Sequence, residues 1–442
     1  MNLYADFMFD SAGQGLFYHG NIRCGNQSFA VVYDCGTSNQ IKGAKNNLSN
    51  LVEKYHEGQG RPRPYIGLLA ISHFDFDHIS HIPELLRECT VDTVMLPHIS
   101  NELRVVFLAK CVFDARDGND SEFVDHLGWN EELVELFRNP ASYFAERGAE
   151  QIIGILGDDN DDSNDIRKED KPISSFQPSE NDHHDLEYLH LRYVGGGQRI
   201  QSEEKQFDRY NVYSGSPAYR LEIKRYSWLF RPLNVQEKLP ATFYNDVQKI
   251  LCQCNDDWWE LLSDASKLKQ LTKIYDLYIG RGHRNAHSLL LHHKPEQRGC
   301  LIPNDHKFRE HRCVYYLKCF DCCKSYSCCD NCATILLGDL ELDGNARSIL
   351  DKYKFFNYEA GVVLIPHHGA NSDDLMWLDE KIIHDGGYVS LVVSYGTKNR
   401  YTNRNGHPHP RFIYDGTMAR VKNLISFSNE ETNYRYHVFI CD

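Results

Sequence analysis

Four side chains of metal-ligand type stand within six positions at His73-Phe74-Asp75-Phe76-Asp77-His78. They follow directly on the apolar run Tyr65–Ser72 (YIGLLAIS), so a sharp loop at a strand's carboxyl end would place all four around one point. Imidazole and carboxylate are the ligands of zinc, manganese and iron. The absence of cysteine from the cluster favours an open catalytic site over a closed structural one. One loop cannot complete the coordination of two ions, and other ligand-type residues also stand just past apolar runs. Asp34 follows Val31-Val32-Tyr33, Asp339 follows Leu336-Leu337-Gly338, and His367 and His368 follow Ile365-Pro366. The repetition of strand and then ligand along the chain carries more weight than any single instance.

The elements that must position these residues read as alternating strands and helices. Strands are expected at Phe29–Tyr33, Tyr65–Ser72 and Thr93–Leu96, with helices at Lys45–Tyr55 and after His81, where Pro83 suits a first helical turn. His287–His293, Ala333–Leu337, Gly361–Ile365 and Val389–Ser394 are further apolar strand candidates. The fold class expected from this alternation is α/β. Residues 100–280 differ in character and are expected to form a mainly helical insertion between two core halves, 1–99 and 281–442. Glu131 onward, the stretch opened by Asn139-Pro140 and closed by Gly148, and Asn245–Tyr278 read as helices, with Trp258 and Trp259 packing inward. Tyr219–Phe230 alternates as a strand, and the acidic tract 158–171 reads as a mobile linker.

Composition narrows the class. The 442 residues carry a net charge of −14, which argues against a protein that coats polyanions by counterion release but leaves room for a local basic groove. No run reaches the ~18 apolar residues of a membrane helix, so no membrane association is expected. Met1–Asp10 lacks the basic start of a secretion signal, which makes the cytoplasm the expected compartment. Of the 15 cysteines, most of those without close neighbours suit small buried hydrophobes. Cys319, Cys322, Cys329 and Cys332 form two Cys-x2-Cys pairs within the expected hairpin 294–332. A structural zinc there is the leading reading, with Cys313, His306 or His311 as alternative ligands, and a redox cluster or unligated thiols as rivals.

His73 to His78 resembles the His-x-His-x-Asp-His signature of the metallo-β-lactamase superfamily, with Asp75 in place of the second His. The chain is most similar to the ComEC-like branch, the hydrolase domain of bacterial DNA-uptake channels. Further stations match in order: Gly13-Gln14-Gly15, Asp34-Cys35-Gly36, Asn285 with Ser288-Leu289-Leu290, Leu337-Gly338-Asp339, Pro366-His367-His368-Gly369 and Gly406-His407-Pro408-His409-Pro410. The resemblance covers roughly residues 8–99 and 281–415. It departs from the branch where Ser80-His81 replaces a Gly-Gly and where Thr402–Asn405 separate Tyr401 from Gly406.

The resemblance implies an αββα sandwich with its metals at one edge. His73 and Asp75 would bind one ion and Asp77 and His78 the other, with Asp339 bridging and His367 or His368 completing the sphere. His98 is a candidate for the superfamily's third-motif ligand, Asp34 a support or substrate contact, and His81 a helix-facing or supporting residue. Two divalent ions, zinc or manganese, ~3.5–4 Å apart would activate a hydroxide that Asp77 or Asp339 orients. Arg400 would bind phosphate, and His407 and His409 would serve a developing oxyanion or leaving group. The implied activity is a phosphodiesterase or nuclease acting on nucleic acid or nucleotide, with the insertion open to a protein partner. The alternatives are hydrolysis of a small phosphodiester such as a cyclic nucleotide, or a non-catalytic metal-binding regulatory subunit.

Overall fold

The structure, a computed structural model, describes residues 2–37, 64–117, 131–157, 189–200, 210–236, 239–254, 257–279, 287–303, 332–356, 360–370, 372–382, 389–396, 425–429 and 432–440. The strands of the first half are β1 (Leu3–Phe9), β2 (Gly15–Cys24), β3 (Gln27–Thr37), β4 (Tyr65–Ala70), β5 (Thr90–His98), β6 (Gln151–Leu156), β7 (Leu191–Gly195), β8 (Gln198–Ile200) and β9 (Tyr210–Ser214). Those of the second are β10 (Ala218–Ile223), β11 (Tyr226–Gln236), β12 (His287–Pro295), β13 (Cys300–Pro303), β14 (Ala333–Leu336), β15 (Ala360–Leu364), β16 (Ser390–Ser394), β17 (Ile425–Ser428) and β18 (Tyr434–Ile440). Among them run α1 (Phe76–Ile79), α2 (Ile82–Glu88), α3 (Asn101–Asp117), α4 (Glu131–Arg138), α5 (Pro140–Glu146), α6 (Ala241–Cys252), α7 (Trp258–Ser263), α8 (Ala265–Tyr278), α9 (Gly344–Lys352) and α10 (Ser372–Ile382). No described helix is long and apolar enough to cross a membrane.

The protein is mixed α/β with two sheets. Ten strands order as β13-β18-β1-β2-β3-β4-β5-β6-β9-β8, and eight as β17-β16-β15-β14-β12-β11-β10-β7. In the first sheet β3, β4, β5, β6 and β9 pair in parallel, and in the second β14 to β17 do so. Among them β4, β14, β15 and β16 are continuous apolar runs of the sequence, as strands buried on both faces must be. Both parallel sets therefore deliver the loops after them to the carboxyl ends of their sheets, where open α/β sheets bind ligands.

Three apolar clusters hold the elements. One joins Phe7, Tyr18 and Tyr33 of the first sheet to Trp228, Phe230 and Leu291 of the second. Another packs Val32, Leu69, Val94 and Ile152 of the first sheet with Leu85, Phe107, Val247 and Leu271 from helices. The third packs Leu233, Leu290, Val363 and Val393 of the second sheet with Ile349 and Leu378.

The segment expected as a mainly helical insertion has its helices but also supplies β6 to β11, which hydrogen-bond into both sheets. Short strands with polar outward faces, such as β7 and β8, lack the apolar run that announces a buried strand. Helix starts follow their local chemistry: Asn139 caps α5 by accepting from the Ser142 amide at 3.1 Å. Trp258 is buried as expected, whereas Trp259 is 36% exposed. Adjacent helical positions cannot face the same core. The expected helix 45–55, the acidic tract 158–171 and Cys319, Cys322 and Cys329 lie outside the described residues; Cys332 is buried.

Candidate metal centre

Four chain segments meet at one end of the two sheets. Asp34 lies in β3 at φ 57°, and Ser72 and His73 follow β4. Asp75 precedes the single turn of α1, which carries Asp77 and His78. Asp339 follows β14 after Gly338 at φ 54°, a left-handed conformation that glycine adopts at no steric cost. His367 and His368 follow β15 at φ 48° and 52°, left-handed values that are uncommon for residues with a side chain and concentrate at functional sites. Gly36 lets β3 press onto this turn, since a Cβ there would stand 2.5 Å from the backbone carbon of His78.

The donor atoms converge. One ligand atom each from Asp77, His78, Asp339 and His368 lie within 4.8 Å of one another, as do those of His73, Asp75 and Asp77. His78 Nε2 is 3.2 Å from Asp339 Oδ1 and 3.9 Å from Asp77 Oδ1. His368 Nε2 is 3.2 Å from Asp77 Oδ2 and 3.6 Å from Asp339 Oδ2. Nε2 of both His73 and His78 is buried with no aligned hydrogen bond. Buried polar nitrogens are almost always satisfied, so two aimed inward among carboxylates fit a cation. The cluster could bind a metal ion. Asp77 is common to both groups, and Asp339 belongs to the first of them.

Charge at the site is strongly coupled. Burial would raise the Asp339 carboxyl, but His368 and His78 outweigh it and hold it well below the usual range. Asp77 is likewise lowered, burial being overcome by His78 and by the hydrogen bond from His368. In His78 burial opposes the charged form, but Asp339, Asp77 and Asp34 keep its pKa well above the ordinary value. His73 goes the other way, to about 3, through burial and the neighbouring His78. The carboxylates thus stay ionised and require positive charge, which protons on the imidazoles or a cation can supply.

Supporting groups set the imidazoles. His368 Nδ1 lies 2.7 Å from the Ser394 carbonyl, an acceptor only, so Nδ1 carries the proton and Nε2 faces the carboxylates. Asp34 is fully buried; its Oδ1 accepts from the Ser72 amide at 2.7 Å and its Oδ2 from the Ser72 hydroxyl at 2.6 Å and His78 Nδ1 at 2.8 Å. It therefore supports ligands from behind. Ser72 was missed as a functional residue by sequence reasoning, although its place between the strand and His73 was a signal. Gln14, of the Gly13-Gln14-Gly15 motif, accepts on Oε1 from the Gly396 amide at 3.2 Å, and Ser394, which the sequence reading did not single out, donates from Oγ to the Gly15 carbonyl at 2.7 Å.

The remaining expected residues divide. His367 lies outside both donor groups, close enough that Asp339 and His368 act on its charge. His98 is also outside them, with Nδ1 2.7 Å from the Tyr210 hydroxyl. His81 faces Ser80 Oγ at 2.9 Å and Glu84 at 4.0 Å. Arg400, His407 and His409 lie outside the described residues. No protein-family model and no curated protein matches the chain.

Proposed function

We propose that this protein is a metal-dependent hydrolase of the metallo-β-lactamase type, a phosphodiesterase or nuclease with two zinc or manganese ions. One observation carries the reading. Donor atoms of Asp77, His78, Asp339 and His368, from three loops at the strands' carboxyl ends, converge within 4.8 Å around an imidazole nitrogen that has no aligned partner. The shared inter-sheet core with a helix-packed core on each outer side supports the four-layer αββα arrangement. The ordered motif resemblance supports the phosphodiester as the bond cleaved.

In this reading His73, Asp75, Asp77, His78, Asp339 and His368 hold the ions. When bound, divalent ions generate a nucleophile from water at neutral pH and offset charge on a phosphoryl group. Asp77 and Asp339, held ionised, can accept a proton or fix the direction of attack. Asp34, Ser72 and the Ser394 carbonyl keep the imidazoles aimed, which spares reorganisation during the reaction.

The test is degradation of labelled single- and double-stranded DNA and RNA, and of a cyclic dinucleotide, with Mn²⁺ or Zn²⁺, beside Asp77→Ala. Hydrolysis that requires Asp77 is the expected result. A metal-loaded wild-type protein that leaves every one of these substrates intact would overturn the assignment in favour of a non-catalytic metal-binding subunit.

A further inference from the structure

Ser72 touches three polar groups of the cluster. Its Oγ lies 2.6 Å from Asp34 Oδ2, 2.8 Å from His73 Nδ1 and 3.3 Å from His78 Nδ1. The direction of each proton follows from what the partners can do. The Ser72 amide donates to Asp34 Oδ1 and the Ser72 hydroxyl donates to Asp34 Oδ2, the oxygen that also faces His78 Nδ1. The single proton of the Ser72 hydroxyl therefore points to Asp34. What remains on Oγ are its two lone pairs, and the nearest nitrogen facing them, at 2.8 Å against 3.3 Å for His78 Nδ1, is His73 Nδ1. That nitrogen must bring the proton.

We infer that Ser72 is a positioning residue that relays the charge of Asp34 to His73, fixing its proton on Nδ1 and its Nε2 lone pair toward the metal centre. Asp34 thereby sets two ligands: His78 directly and His73 through the serine. The inference rests on the metal-site reading above, and it adds a role for a residue that donates nothing to the ions. His73 Nε2 is buried with no aligned hydrogen bond and lies 3.8 Å from Asp75 Oδ2, on the side of the carboxylates. Removing the hydroxyl leaves His73 free to carry its proton on Nε2, where it blocks coordination. Partners of this kind typically change metal affinity by about 10–100-fold when removed.

The experiment is ¹⁵N–¹H NMR of the full chain labelled at histidine and freed of metal, with the His73 signals assigned by their loss in His73→Gln. Zinc affinity is measured by competition with a chelator for wild type, Ser72→Ala and Ser72→Thr. The expected result is Nδ1–H and an unprotonated Nε2 for His73 in wild type, loss of that preference in Ser72→Ala with about 10–100-fold weaker zinc binding, and restoration of both in Ser72→Thr. An Nε2–H tautomer in wild type, or a Ser72→Ala protein with unchanged tautomer and affinity, would overturn the relay. Should Ser72→Ala fail to fold, the wild-type tautomer and the threonine variant still decide. Because the tautomer is read without metal or substrate, failure of hydrolysis overturns the hydrolase assignment alone.

Discussion

Asp34 and His78 are 44 positions apart in sequence, yet Oδ2 of one lies 2.8 Å from Nδ1 of the other, and both side chains are sealed from solvent. The pair fastens the turn that carries Asp77 and His78 to the middle of the first sheet. A buried, charge-assisted hydrogen bond of this kind costs far more to break on one side than to leave intact.

Asp34→Asn replaces an acceptor of three hydrogen bonds with an amide that presents a donor to at least one of them. Stability is expected to fall by about 2–4 kcal/mol, read from the midpoint of urea unfolding at constant slope. An unchanged midpoint would mean that the interaction contributes no net stability.

Asp77 and Asp75 should differ in what they take away. Asp77 belongs to both donor groups and Asp75 to one, where its carboxylate is 32% exposed and 3.8 Å from His73 Nε2. Elemental analysis after dialysis is expected to find one ion per chain retained in Asp75→Ala and both lost in Asp77→Ala. Equal losses in the two variants would contradict the shared position of Asp77.

Stability should fall in acid through histidines outside both donor groups. Burial depresses His293 to about 3, and its Nδ1 accepts from the Trp228 indole at 3.3 Å while Nε2 meets the Tyr18 hydroxyl at 2.8 Å. A second ring proton has to break the Trp228 bond. His287, lowered to about 4 by burial alone, packs edge-on against Phe107. For groups with folded pKa below the ordinary 6.5, the unfolded chain binds more protons, so their contribution is complete above pH 6.5 and lost as pH falls toward the folded values. Each is worth about 1.4 kcal/mol per pH unit in that window. His287→Phe should reduce the slope of stability against pH between 6 and about 4.5 by one proton; an identical slope would show that His287 does not stay neutral.

Two glycines should respond oppositely to alanine. At Gly36 the added carbon meets the backbone of Asp77 and His78 at 2.5–2.6 Å, so the turn that carries them must shift. A loss of about 1–3 kcal/mol is expected, with weaker zinc binding. At Gly344, the first residue of α9, nothing lies within 4 Å, and alanine is expected to gain about 0.4–1 kcal/mol. Chelator competition and thermal unfolding of both variants check the pair.

The amino-acid sequence by itself determined the strands that carry the site. Apolar runs such as Tyr65–Ala70 and Ala333–Leu336 announce themselves because burial on both faces demands an unbroken apolar stretch. It also marked Asp77, His78 and Asp339 as ligand candidates, because their residue types and their place just past a strand are local properties. Only the tertiary structure brought His368, and not His367, within reach of Asp77, His78 and Asp339, left His98 outside both donor groups, placed Asp77 in both, and revealed Ser72 as the group behind His73. Each of those depends on atoms brought together by non-local pairing, such as the Leu289 amide donating to the Ser72 carbonyl at 2.7 Å. The same holds for β6 to β11, whose outer strands are polar and are held by the sheets they extend. Local chemistry names the candidates, while a cluster a few ångströms across is settled by packing between distant segments, which no spacing along the chain records.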